Sequence, residues 1–72
     1  MKSSVVHIDP EIMSGAPVFR GTRVPVQIFL DHLADGENVD SFLRGYPSVK
    51  REQLETFLHE IGHEVSTMAA SA

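Results

Sequence analysis

The string "HEIGH" at residues 59–63 has the spacing in this chain most suggestive of hydrolytic chemistry. Two histidines four residues apart on a helix share a face and can hold one zinc ion, with the glutamate between them as a base. A catalytic zinc also needs a third protein ligand and an open water position. Nine residues follow His63, and Glu64 is the only metal-binding side chain among them. It lies one residue from His63, about 100° around a helix, and is badly placed to join the pair. His7, Asp9 and Glu11 are remote in sequence, and no pattern ties them to the histidines. Gly62 weakens a helix here by ~1 kcal/mol relative to alanine. Phe57, Leu58 and Ile61 account for the same segment as a packing element. A zinc hydrolase is therefore the least favoured reading. The sequence predicts no catalytic residues, no metal site, no cofactor and no enzyme.

Two other groups of side chains can do chemistry by binding. In "RGTR", Gly21-Thr22 separates two short β-prone runs, and glycine first in a two-residue loop suits a type II′ hairpin turn. Arg20 then faces Arg23, and Phe19 faces Val24. Like charges directly opposite each other are destabilising. An anion is expected near them: Asp9 or Glu11 of the same chain, an acidic partner surface, or a phosphate. The second group is Arg44, Lys50 and Arg51, with Gln53 and Thr56 further along. They lie where one predicted helix ends and the next begins. A helix-turn-helix reads DNA with the first residues of its second helix. Glu52, Glu55 and Glu60 oppose that use, and a solvated helix face explains the same residues.

The elements that must position these groups follow from periodicity. Val5 to Asp9 reads as a short strand, ended by Pro10. "MSGAP" is a turn or loop. Pro25 suits the first turn of a helix whose stripe is Val26, Phe29, Leu30 and Leu33, with Gly36 as its left-handed end. Asn38 caps a second helix, with Val39, Phe42, Leu43 and Tyr46 on one side. Pro47 stops it. Ser48 is expected to cap a third helix with Leu54, Phe57, Leu58, Ile61 and Val65 on its apolar face. The arrangement is one domain over 1–72: strand and hairpin at 5–25, three helices at 26–65, and an uncharged flexible tail at 66–72. Val65 and Met68 are its candidate partner-binding residues.

Seventy-two residues bury only about 60% of their unfolded surface, so such a domain is marginal without disulfides, metal or a partner chain. There are no cysteines. Ile28, off its helical stripe, and Val5 and Val6 leave apolar surface for a second copy, so a homodimer is expected. No run approaches the ~20 apolar residues of a membrane span, and no secretory signal is visible, so the expected compartment is the cytoplasm. The net charge is −4, and from Glu37 onward three basic residues face six carboxylates. An acidic chain binds DNA poorly on its own, because affinity rests on neutralising phosphates.

The segment from His7 to about Gly62 resembles the domain-of-unknown-function 433 family of small bacterial proteins. "SGAPVFRGTRVPV" at 14–26 carries most of the resemblance, followed by "LADG" at 33–36 and "FLRGYPSVKREQLETFL" at 42–58. The family pattern differs at two places, with glycine at the position of Ser14 and a basic residue at that of Ala16. The resemblance implies a mainly helical, homeodomain-like or winged helix-turn-helix fold. It also implies the antitoxin of a type II toxin–antitoxin pair, bound to a PIN-like ribonuclease and repressing its own promoter in complex. A stand-alone helix-turn-helix DNA-binding regulator is the alternative.

Overall fold

The structure is a computed structural model and describes residues 3–71. Strand β1 (Val6–His7) is followed by a single 3-10 turn (Met13–Gly15), strand β2 (Val18–Phe19) and helices α1 (Val26–Ala34), α2 (Val39–Gly45) and α3 (Arg51–Ser71). The two strands pair antiparallel, with Val6 opposite Phe19 and His7 opposite Val18. Three helices and this small sheet make a mainly helical domain with the order expected of a helix-turn-helix.

Four phenylalanines from four elements meet at the centre. Phe19 of β2, Phe29 of α1, Phe42 of α2 and Phe57 of α3 are all buried, together with Val18, Val49 and Leu54. Phe29 and Phe42 lie 4.9 Å apart and Phe19 and Phe57 5.5 Å apart, both edge to face. That geometry sets the positive edge of one ring against the negative face of the next and contributes about 0.5–1.5 kcal/mol per pair beyond area burial. Val5 and Val6 pack against this cluster and so are not wholly spare surface. Ile28 remains 36% exposed.

Helix ends follow from local chemistry. Gly36, at φ +88°, closes α1: its N–H donates to the Leu33 carbonyl and that of Glu37 to His32. This is the double bond pattern of a Schellman end. Asn38 and Ser41 cap α2 reciprocally. The start of α3 differs from the expectation at Ser48. The helix begins at Arg51, after a connection of residues 46–50. The Lys50 carbonyl accepts from Gln53, and the Gln53 side chain returns to accept from the Lys50 N–H at 3.0 Å. A glutamine three residues in thus does half the work of a capping box without a hydroxyl partner. The far end differs too. Residues 66–71, expected as tail, continue α3, and Ala72 lies outside the described residues.

Candidate functional site

The residues expected to meet DNA are not equally free. Lys50 and Arg44 are exposed. Arg51 donates to Asp40 of α2, and this hydrogen bond holds the Asp40 carboxyl below its ordinary 3.8. Gln53 is used at both ends: its amide oxygen takes the Lys50 N–H, and its amide nitrogen donates to the Arg20 carbonyl at 2.9 Å. It fastens the start of α3 to the arginine turn. Thr56 is half-buried.

The arginine turn keeps the expected register but not the expected turn. Val18 bridges Pro25, and the Phe19 N–H donates to the Val24 carbonyl at 3.0 Å. The tight turn, however, runs from Phe19 to Thr22, closed by the Thr22 N–H on the Phe19 carbonyl. Gly21 is therefore the second central residue, at φ +80°, as in a type II turn. Thr22 completes the loop: its hydroxyl donates to the Phe19 carbonyl at 2.7 Å and accepts from the Val24 N–H at 3.0 Å. Arg20 meets no carboxylate among the described residues. Its guanidinium donates to the carbonyls of Ser4 at 3.3 Å and Val6 at 3.1 Å. The internal ion pair expected with Asp9 or Glu11 is absent among the described residues. Asp9 instead accepts from the Glu11 N–H at 2.9 Å and approaches His7 at 3.9 Å. Arg23 is exposed and makes no hydrogen bond or ion pair among the described residues.

Beside this turn lies an open cleft of about 610 Å³. Arg20, Gly21, Thr22 and Arg23 form one side. Ser48 from the α2–α3 connection, together with His7 and Ile12, forms the rest. Sequence reasoning singled out the two arginines here and missed Ser48, which only the fold brings to them.

The structure gives "HEIGH" another use. Glu60 accepts from the Ser3 hydroxyl and from the N–H and hydroxyl of Ser4, the latter two at 3.0 Å. The Ser3 bond, then the Ser4 N–H, hold its carboxyl below its ordinary 4.5. Glu60 thus anchors the N-terminal segment on α3. Among the described residues no three His, Cys, Asp or Glu side chains come together as a metal site. This clasp was missed because residues 56 positions apart carry no shared pattern. Sequence reading also missed the contact of the His32 ring nitrogen with the Ser41 hydroxyl, 2.8 Å away and nine positions on.

Beyond Ile61, α3 leaves the domain. From Gly62 to Ala69 every residue is exposed except half-buried Glu64. The face that buries Leu54 and Phe57 continues as Ile61, Val65 and Met68, the last two 58% and 64% exposed. At 1.5 Å per residue, Ile61 to Ser71 projects about 16 Å. Among the described residues no helix is long and apolar enough to cross a membrane.

This arrangement recurs in known proteins. A crystal structure of a DUF433 member protein from Anabaena variabilis superposes with a TM-score of 0.70 over 93% of this chain and 66% of that one, at 22% identity. An uncharacterized protein of Sinorhizobium fredii is 40% identical over 50 residues, covering 69% of this chain and 23% of that protein. The chain thus spans just under two thirds of the first and about a quarter of the second. The family model described as "Protein of unknown function (DUF433)" matches residues 6–59. That match takes in β1, the arginine turn, all of α1 and α2 and the first half of α3, and the chain belongs to the DUF433 family.

Proposed function

We propose that this protein is the antitoxin of a type II toxin–antitoxin pair, a non-enzymatic binding module that docks on and inhibits a PIN-like ribonuclease. The observation that carries the reading is the uncovered face of α3. Leu58, Val65 and Met68 are exposed and, with half-buried Ile61, form an apolar stripe that runs out of the domain into solvent. Amphipathic helices commonly bind by laying such a stripe, with its i, i+3, i+7 spacing, into a groove. The net charge of −4 suits a partner built to attract RNA, because a ribonuclease presents positive potential to its substrate. A cytoplasmic location and self-association through a separate surface around exposed Ile28 accord with this role.

Co-expression with the product of the neighbouring gene tests it. The expected result is a stable complex that no longer cleaves RNA. Truncation after Val65 should weaken the complex at least tenfold, whereas His59→Ala should leave it within about twofold. A truncated chain that still binds and inhibits at full strength would remove the reading.

Promoter repression is the second part of the proposal, and a DNA-binding regulator acting alone is its competitor. Exposed Lys50 and Arg44 support either. The acidic charge and the engagement of Arg51 and Gln53 within the fold favour DNA binding as a complex, where basic contacts are doubled. Lys50→Ala should weaken binding to many DNA sequences alike and lower the salt slope by about one, as loss of a single phosphate contact does.

A further inference from the structure

We infer that the cleft between the Arg20–Arg23 turn and the α2–α3 connection binds a phosphate group, held by the Arg23 guanidinium and the Ser48 hydroxyl. Arg20 shares the turn, but two of its guanidinium N–H groups donate to the Ser4 and Val6 carbonyls and hold it against β1. Thr22 is likewise closed within its own loop. Arg23 and Ser48 are different. Both are exposed, and neither makes a hydrogen bond or ion pair among the described residues. The wholly uncommitted side chains of the cleft thus include a forked cation and a hydroxyl, a set that matches the several acceptor oxygens of a phosphate.

Three further features bear on the ligand. A Cβ built on Gly21 would meet nothing within 4 Å, so the turn is open to close approach. The cleft volume of about 610 Å³ falls in the range of sites for ligands much larger than a bare phosphate. Ile12 adds an apolar wall for the group that the phosphate carries. The Asp9 carboxylate approaches His7 at 3.9 Å and makes no ion pair with Arg23. The phosphate can belong to a free nucleotide or to a nucleic-acid backbone. The second is favoured, because exposed Lys50 follows Ser48 by two residues and offers a further cation for a neighbouring phosphate. The inference goes beyond toxin binding and stands without it, since the full chain can be titrated alone.

The test is an amide-resolved NMR titration of the full chain with inorganic phosphate, with a nucleoside monophosphate and with a duplex of arbitrary sequence. Saturable shifts are expected at Gly21, Thr22, Arg23 and Ser48. Arg23→Ala should weaken phosphate binding about tenfold, as loss of a charge-assisted contact does. Ser48→Ala should weaken it less, and the same spectra confirm that both variants fold. If Arg23→Ala also lowers duplex affinity and its salt slope by about one, the source is a backbone. If duplex affinity is unchanged while monophosphate binding is lost, the source is a free nucleotide. Shifts that centre on Lys50 and Arg44 instead, or that survive Arg23→Ala, overturn the site.

Discussion

Glu60 shows how one side chain can look catalytic and act as a fastener. Its carboxylate accepts three hydrogen bonds from Ser3 and Ser4, and these favour the charged form. The sign of the pH effect follows. A carboxyl lowered in the folded state contributes stability that is fully present above its unfolded value, ordinarily 4.5. That contribution is lost as pH falls through the lower folded value. The N-terminal segment should therefore detach in acid while the helices remain. NMR at successive pH values should show Ser3 to Val6 losing their native shifts below about pH 4.5, ahead of the core. Glu60→Gln should show the detached spectrum already at neutral pH. Unchanged N-terminal shifts in that variant would refute the fastening role.

At the scale of elements, two left-handed positions make opposite forecasts. Gly36 ends α1 at φ +88° with open space around it, so Gly36→Ala brings backbone strain and no clash. It should cost about 1–2 kcal/mol in urea unfolding. Ser14, at φ +56°, occupies a conformation that suits glycine better. Ser14→Gly should relieve that strain against the larger unfolded-state entropy of glycine and stabilise by roughly 0.5–1 kcal/mol. The helices were legible in sequence because their stripes and ends are local: Phe29 with Leu33, Gly36 and Asn38 all lie within one or two turns of what they specify. The start of α3 was not, because Lys50 and Gln53 lack the hydroxyl that marks a usual cap. The site was half legible. Arg20, Arg23 and Lys50 stand out by charge, but the ties of Gln53 to Arg20 and of Glu60 to Ser3 span 33 and 57 positions. Only the tertiary fold decides such contacts.

For the whole molecule, stability concentrates in one ring cluster. A 72-residue domain at typical values has about 4–11 kcal/mol in total. Phe42 meets Phe19, Phe29, His32 and Tyr46, the last stacked at 4.6 Å. Phe42→Ala should cost about 3–5 kcal/mol and leave much of the chain unfolded at 37 °C, read by circular dichroism. Truncation after Val65 should do the opposite. The removed residues stand outside the cluster, so the melting temperature of the isolated domain should shift by no more than about 2–3 °C. A large drop would mean that the projecting part of α3 packs on its own domain.

The grip of Arg20 on β1 has a colloidal consequence. The Val5 carbonyl accepts from the Arg20 N–H, so Val6, its neighbour along the strand, turns its own backbone groups away from β2. Both are already taken: the carbonyl by the Arg20 guanidinium and the N–H by the Ser3 hydroxyl. An unpaired strand border is a template on which other chains can add. Here that border is sealed by two side chains, one of them held in turn by Glu60. Arg20→Ala or mild acid removes one seal each, and together they should leave β1 free to recruit further strands. Thioflavin fluorescence at pH 4 should rise with time for Arg20→Ala and stay flat for the parent at neutral pH.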